Sequence, residues 1–205
     1  MISQTSARLS PDEALALFQH GNLIDLGEQA HATRLRIANP DVVTYVVDRN
    51  INYSNVCAAQ CDFCAFYRKP DDPEAFLLSN EEIYRKIREL LEIGGTTILL
   101  QGGLHPSLDF SYYTRVLSAI KERFQVCIHA FSPPEIVWMA HLYSRSVRDI
   151  IADLRSAGLD SLPGGGAEIL SDRVRTRVSR GKCNSAEWLG VMEEAHRLGL
   201  RTTAT

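Results

Sequence analysis

The sequence predicts an α/β fold whose strands run parallel. Short runs of β-branched and aromatic residues alternate with helical patterns over residues 41–205, and this alternation favours parallel strands joined by crossover helices. The chain has 205 residues, 45% of them hydrophobic and 23% charged, which suits a globular core. The alternation alone does not separate a barrel from an open sheet. Residues 1–40 carry helical patterns, so we expect an N-terminal helical extension before the core at 41–205.

Two helices are expected in the extension. The segment Ser10-Pro11-Asp12-Glu13 combines a capping residue, a proline suited to the first helical position and a capping-box glutamate. Gly21 ends this first helix. A second helix covers residues 24–37 and stops before Asn39-Pro40, because the residue before a proline avoids the helical conformation.

The core begins with a predicted strand in the valine-rich run at 42–47. Runs of similar composition predict further strands at 96–101, 125–131, 160–162 and from 201 onward. Apolar stripes at helical spacing predict helices between the later strands. Their start and stop signals are Ser79 with Glu82, Gly94, Gly158, Ser185 and Gly199.

The composition also excludes some classes of function. The formal net charge of −3 argues against a nucleic-acid binder that works by bulk charge. We find no apolar run of about 18 residues that would cross a membrane, and no signal peptide. We therefore expect a cytoplasmic protein, in which thiols stay reduced and the five cysteines are ligands, catalytic groups or core residues.

The most informative motif is CAAQCDFC, which places Cys57, Cys61 and Cys64 in one short segment after the first predicted strand. Loops at that end of a parallel sheet carry the chemistry in many α/β enzymes. Thiolates favour zinc and iron–sulfur clusters, but a structural zinc site normally has four protein ligands, and no fourth ligand follows at finger spacing. A four-iron cluster on three thiolates leaves one iron open. The alternative is a chance group of buried thiols.

The motif C-x3-C-x2-C with Phe63 before its last cysteine resembles the signature of the radical S-adenosylmethionine (SAM) superfamily. The string NYSNVCAAQCDFCAFYR resembles the branch that contains the futalosine-route menaquinone enzymes and the deazaflavin cofactor synthases. LLQGGLHP, IHAFSPPEI, GLDSLPGGGAEIL and HRLGLRTTAT are most similar to the dehypoxanthine futalosine cyclases. The glycine-rich string is shared with the aminofutalosine synthases, so it does not separate those two families.

This resemblance implies a fold, cofactors and a reaction. The fold is a partial β/α (TIM-like) barrel of the radical SAM type, and we expect this chain to be truncated after about five strands. The cofactors are a 4Fe-4S cluster on the three cysteines and S-adenosyl-L-methionine on its open iron. The reaction is cyclisation of dehypoxanthine futalosine through a 5′-deoxyadenosyl radical. The implied partners are a nucleoside-derived small-molecule substrate and a reductant such as flavodoxin or ferredoxin.

The resemblance also implies roles for residues near the cysteines. Phe63 would pack beside the cluster or the adenine, although composition alone equally fits a core aromatic. Gly102 and Gly103 would lie where the superfamily holds the methionine amino group, and the alternative is a plain strand-to-helix turn. His105 follows in the same loop, where it acts on substrate protons or is simply solvated.

Two later segments supply the remaining candidates. Ser132 would contact the cofactor, and Glu135 would either cap the next segment or bind a ribose hydroxyl. His129 is expected inside the barrel or as a hydrogen-bonded core residue. Glu168, at the end of a three-glycine loop, would bind ribose hydroxyls, a basic residue or a substrate proton; the alternative is a flexible surface loop. The arginines at 173, 175, 177 and 180 are expected on an extended or turning segment with one solvated side.

Two other functions remain open at this point. One is a related radical SAM reaction, that of an aminofutalosine synthase or a deazaflavin cofactor synthase. The other is a non-catalytic module that holds zinc or an electron-transfer cluster on the three thiolates.

Overall fold

The computed structural model describes residues 8–204 and contains one five-stranded sheet. All neighbouring strands pair in parallel and follow the order of the chain. The strands are β1 (Asp48–Asn52), β2 (Thr97–Gln101), β3 (Cys127–Ala130), β4 (Ser161–Leu162) and β5 (Arg201–Thr202). This sequential parallel order, with helices between the strands, is the arrangement of a partial β/α barrel.

The helices lie in two compact units of the chain, Met1–Tyr45 and Val46–Thr205. The first unit holds α1 (Pro11–His20) and α2 (Leu23–Ile37), as predicted, and neither helix has a buried residue. The second unit holds α3 (Asn80–Glu92), α4 (Phe110–Arg123), α5 (Pro133–Leu142), α6 (Val147–Ser156), α7 (Asp172–Val178) and α8 (Ser185–Arg197). No helix in the described part of the chain is both long and apolar enough to span a membrane.

The first strand is not where the sequence predicts it. Residues 42–47 form no strand, and Val43 and Tyr45 are 84% and 88% exposed. The strand is instead Asp48–Asn52, whose only buried residue is Ile51. The valine-rich run has high β-propensity, but pairing with β2 begins at Asp48, opposite Thr97.

Three features of the helices also differ from the prediction. The N-cap of α8 is Asn184 and not Ser185, because the Asn184 side chain accepts the Glu187 N–H at 2.9 Å. Helix α5 was not predicted, because it is apolar on nearly all sides and shows no amphipathic stripe. The arginine-rich segment includes the helix α7 and is not an extended segment, and one of its arginines, Arg175, is buried.

The two faces of the sheet have different environments. Ile51, Leu100, Ile128 and Leu162 are fully or nearly fully buried and belong to the same hydrophobic core as the helices that follow the strands. Strand residues alternate between faces. The opposite face, here called the inner face, carries the more polar set Asn50, Asn52, Leu99, Gln101, His129 and Ser161.

Candidate active site

A cavity of about 240 Å³ lies where the loops after β1, β2, β3 and β4 meet. The three motif cysteines line it, together with Phe63, Gly102, Gly103, Ser132 and Glu135. Eight of the ten predicted site residues therefore line one cavity at the carboxyl ends of the strands. Two other hollows lie on the surface around α4, and no cysteine lines either of them.

Backbone hydrogen bonds hold the cysteine loop against its neighbours. The Ala58 N–H donates to the Leu104 carbonyl at 2.9 Å, and the Leu104 N–H donates to Cys57 Sγ at 3.3 Å. The Asp62 N–H donates to the Val178 carbonyl at 3.0 Å. The loop is thus tied to the segment after β2 on one side and to the end of α7 on the other.

The three thiols differ in exposure. Cys61 is buried, and burial raises the pKa of its thiol, an effect that the nearby Lys182 ammonium opposes. Cys57 and Cys64 are half-buried. Among residues 8–204, no group of three histidine, cysteine or acidic side chains is arranged around a single metal ion. In a 4Fe-4S cluster each thiolate binds a different iron, so the ligands need not surround one point. Three thiols on one cavity wall, one of them already accepting an N–H, fit such a cluster.

Phe63 is a cavity residue and not a core aromatic. Its side chain is 54% exposed, and the Lys182 Nζ lies 5.4 Å from its ring centroid. Such a cation–π contact is worth about 0.5–1 kcal/mol at an exposed site. The contact links the cysteine loop, to which Phe63 belongs, to the segment that carries Lys182.

The two glycines after β2 are needed for close approach of the chain to itself. A Cβ at Gly102 would stand 2.3 Å from the Tyr53 ring, and one at Gly103 would stand 2.1 Å from the Val56 carbonyl oxygen. Gly103 thus allows the β2 loop to lie directly against the backbone that leads into Cys57. The glycines therefore shape the cavity wall in addition to any role toward a ligand.

Glu135 is the most enclosed carboxyl of the site and is 3% exposed. Its Oε1 accepts the Tyr53 hydroxyl at 2.9 Å and the Gly102 N–H at 3.0 Å. Its Oε2 accepts the Ser132 N–H at 2.8 Å and the Ser132 hydroxyl at 2.7 Å. Burial raises the pKa of Glu135 to about 7, although these hydrogen bonds act in the opposite direction. Glu135 caps the start of α5, which was one of its two predicted roles.

His105 and Glu168 do not line the cavity. His105 Nδ1 accepts the Ser107 N–H at 3.3 Å, and burial lowers the pKa of the imidazole. Glu168 has a φ of 44°, and its Oε1 lies 2.5 Å from the Lys182 Nζ. Glu168 therefore reaches the cavity only through Lys182, which does line it.

His129 lies on the inner face, away from the cavity lining. Its Nδ1 lies 2.7 Å from the Ser161 hydroxyl and its Nε2 lies 3.3 Å from the Thr203 hydroxyl. Burial lowers the pKa of this imidazole. The predicted interior position is confirmed, and the ring is hydrogen-bonded there.

Sequence reasoning missed several polar residues of the site. Asn52, Gln101 and Lys182 line the cavity, and Arg175 lies behind it. The Arg175 guanidinium donates to the carbonyls of Ala167 and Cys183, and so joins the loop after β4 to the segment before α8. Gln101 had a detectable signal, since it ends the predicted strand at 96–101, whereas Asn52 had none because the first strand was predicted at 42–47. Lys182 and Arg175 had no sequence signal, because only tertiary packing distinguishes them from the exposed lysines and arginines of the surface.

The Radical SAM superfamily model matches residues 51–205, which include the cysteine loop and every strand from the second half of β1 onward. The chain belongs to the radical SAM superfamily. The predicted family is thereby confirmed. In this superfamily a 4Fe-4S cluster and SAM are the implied cofactors, and Cys57, Cys61 and Cys64 are the thiols that fit the cluster.

Curated radical SAM relatives carry at least three kinds of name, one of which is the FO synthase of Streptomyces coelicolor, 41% identical over 97% of this chain and 23% of its own length. The cyclic dehypoxanthine futalosine synthase of Halalkalibacterium halodurans is 43% identical over 97% of this chain and 54% of its own length. The 5-amino-6-(D-ribitylamino)uracil–L-tyrosine 4-hydroxyphenyl transferase of Methanopyrus kandleri is 44% identical over 86% of this chain and 48% of its own length. The chain thus spans about half the length of these last two relatives and a smaller share of the FO synthase.

Solved structures show the same fold at low identity. Methylornithine synthase matches 96% of this chain and 55% of its own, with a TM-score of 0.67 and 17% identity. The FeFe-hydrogenase maturase HydG from Carboxydothermus hydrogenoformans matches 94% of this chain and 43% of its own, with a TM-score of 0.69 and 21% identity. These likenesses confirm the predicted α/β class and the partial β/α barrel.

Proposed function

We propose that this radical SAM chain contributes the cofactor side of an active site that cyclises dehypoxanthine futalosine for menaquinone biosynthesis. The observation that carries the proposal is the convergence of Cys57, Cys61 and Cys64 on one cavity wall with the glycine loop after β2. The 43% identity to a cyclic dehypoxanthine futalosine synthase supports this choice of substrate. When bound, the cluster and SAM would supply a 5′-deoxyadenosyl radical that takes a hydrogen atom from the substrate.

The chain's own residues would bind and orient. The three thiolates would hold the cluster, and Leu104 would keep its N–H directed at Cys57 Sγ. The Gly102–Gly103 backbone would receive the amino group of SAM, with Phe63 beside the adenine. Ser132 would contact SAM from the loop after β3, because it lines the cavity. Glu135 would keep the glycine loop in place through the Gly102 N–H.

The substrate ring regains aromaticity only by losing one electron and one proton, and His105 and Glu168 are the candidate acceptors of the proton. The lowered pKa of His105 keeps its imidazole neutral at pH 7. Its Nδ1 already accepts the Ser107 N–H, so the proton of the neutral ring lies on Nε2. To accept a proton, His105 would therefore use Nδ1 and give up its hydrogen bond from Ser107. The Glu168 Oε1 is paired with the Nζ of Lys182, which lines the cavity.

A second candidate function is transfer of a tyrosine-derived group to 5-amino-6-(D-ribitylamino)uracil. The observation that favours it is the 44% identity to the Methanopyrus kandleri transferase, one percentage point above the 43% identity to the cyclic dehypoxanthine futalosine synthase. Both reactions would use the same cysteines and the same glycine loop. They differ in the substrate that the inner face of the barrel must accept.

Anaerobic reconstitution with iron and sulfide tests the proposal. The expected result is cluster absorbance that changes on addition of SAM, followed by 5′-deoxyadenosine formation and consumption of dehypoxanthine futalosine. Alanine at Cys57, Cys61 or Cys64 should abolish the absorbance, whereas Cys127→Ala, a half-buried cysteine on β3, should retain it. Consumption of ribitylaminouracil and tyrosine instead would favour the transferase. Absorbance that SAM does not change would favour a non-catalytic module.

A further inference from the structure

Two primary amides stand side by side at the carboxyl edge of the sheet. Asn52 ends β1, Gln101 ends β2, and the two residues are direct partners in the parallel register. Both are half-buried, and both line the cavity that the cysteines share. Within residues 8–204 neither side-chain amide forms a hydrogen bond, although the neighbouring Asn55 amide forms two.

The strand structure does not explain these amides. Asparagine is depleted in strands, and the polar atoms of both amides remain accessible from the cavity. The outward neighbours of the pair, Ile51 and Leu100, already supply the packing of both strand ends against the core. The amides therefore supply no hydrogen bond to the sheet, and their donors and acceptors are available to a ligand in the cavity.

The surroundings of Gln101 show where such a ligand would lie. A Cβ on Gly165 would stand 3.1 Å from Gln101 Nε2 and 3.6 Å from the Ser132 Cβ. The glutamine thus extends from β2 toward the loops after β3 and β4, and the absence of a side chain at Gly165 leaves room at its tip. The pair belongs to the inner face of the strands, whereas the three cysteines belong to a loop.

The chemistry of the pair selects a class of ligand. Each amide offers two donors and an acceptor oxygen, and neither carries a charge. Hydroxyl groups both donate and accept, so two adjacent hydroxyls satisfy two adjacent amides. A carboxylate would instead favour a cation, and the cavity offers Lys182 on a different loop.

We propose that Asn52 and Gln101 bind neighbouring hydroxyls on the sugar-derived part of the substrate and so determine which substrates the barrel accepts. The inference rests on the proposed function for the class of reaction. It does not depend on which of the two candidate substrates is used, because dehypoxanthine futalosine and ribitylaminouracil both carry adjacent hydroxyls. SAM also carries a ribose diol, and the experiment has an arm for it.

Equilibrium binding under anaerobic conditions tests the assignment with the 205-residue chain. The probes are dehypoxanthine futalosine, ribitylaminouracil, an analogue of each with one hydroxyl replaced by hydrogen, and SAM alone. The wild-type chain should bind at least one hydroxylated probe and lose about tenfold in affinity for its deoxy analogue, the effect of one lost hydrogen bond to a neutral group. Asn52→Ala and Gln101→Ala should each weaken binding of the hydroxylated probe about tenfold, and at least one variant should no longer distinguish it from the deoxy analogue.

Asn50→Ala is the matched control. Asn50 lies on the same strand and the same face, two residues earlier, and does not line the cavity. This variant should bind every probe as the wild type does, and all three variants should bind SAM unchanged. The proposal is overturned if neither hydroxylated probe binds, if both cavity variants keep the wild-type discrimination, or if the loss appears for SAM. A chain that shows the expected discrimination but does not turn over the bound probe would contradict the proposed function and leave the amide assignment standing.

Discussion

At the scale of single residues, the carboxyl of Glu135 links three parts of the site. Its four hydrogen bonds join Tyr53 after β1, Gly102 after β2 and Ser132 after β3. Because the carboxyl is buried, its pKa of about 7 lies well above the ordinary value of 4.5. The residue therefore couples the position of the glycine loop to proton binding in the folded protein.

We predict that Glu135 makes the protein less stable as pH rises from 4.5 to about 7. In this window the unfolded chain has released the proton while the folded chain still binds it, so the free energy of unfolding falls with increasing pH. The loss amounts to about 3 kcal/mol over the window. Urea unfolding of the wild type and Glu135→Gln at several pH values measures it. The difference between the two proteins should change across the window, and parallel profiles would contradict the assignment.

Arg175 offers a second residue-scale prediction. Its buried guanidinium donates to carbonyls from two separate segments, and one ammonium has neither the number nor the fork geometry of these donors. Arg175→Lys should therefore cost about 2–4 kcal/mol of unfolding free energy, because buried carbonyls lose their partners. Arg177→Lys, at an exposed position two residues along, should stay within about 0.5 kcal/mol of the wild type. Equal urea midpoints for the two variants would refute this account.

The residues that the sequence could identify are those whose chemistry is local. The cysteine spacing places three thiols on one loop whatever the rest of the chain does. Arg175 acquires its role only from burial beside carbonyls, and Lys182 acquires its role only from packing over Phe63. Neither contact can be seen in the local sequence.

At the scale of secondary structure, the errors follow from reading propensity without knowledge of pairing. β1 has the sequence DRNIN, in which aspartate and asparagine have low β-propensity. Its inner face is polar, and within the described residues it pairs with one strand only, so Ile51 is its one buried side chain. Helix α5 starts with two prolines and is apolar on nearly all sides, so the periodicity that identified α3 and α4 was missing. The other strands and the capped helices were predicted within a few residues.

The β2 loop gives the element-scale prediction. Gly103→Ala would place a methyl group 2.1 Å from the Val56 carbonyl oxygen and 2.6 Å from the Cys57 Cβ, and must push the glycine loop away from the cysteine loop. We expect reconstituted cluster absorbance to fall severalfold and the unfolding free energy to drop by about 1–3 kcal/mol, as for overpacked sites. The measurements are iron content, absorbance and urea unfolding.

Gly190→Ala is the control for that substitution. Gly190 lies inside α8, and a Cβ there would meet no atom within 4 Å. Alanine should stabilise the helix by about 0.5–1 kcal/mol and leave cluster uptake unchanged. If Gly103→Ala also takes up the cluster like the wild type, cluster binding by the cysteine loop does not depend on close packing of the glycine loop after β2.

At the scale of the whole molecule, stability should be distributed unevenly along the chain. β2 and β3 each pair with a strand on both sides, whereas β1 and β5 each pair on one side within the described residues. The helices α1 and α2 have 10 and 15 residues and no buried side chain, and helices of that length are marginal without packing. Opening free energies should therefore rise from α1 and α2, through the outer strands, to β2 and β3.

Amide hydrogen exchange followed by mass spectrometry tests this order. Peptides from α1 and α2 should exchange about as fast as unstructured chain, because opening these helices exposes no buried apolar surface. Peptides from β2 and from α3, whose Ile83 and Ile87 are fully buried, should be the slowest. Protection of α1 as strong as that of β2 would contradict this order, because it requires apolar side chains such as Phe18, here 90% exposed, to be buried in solution.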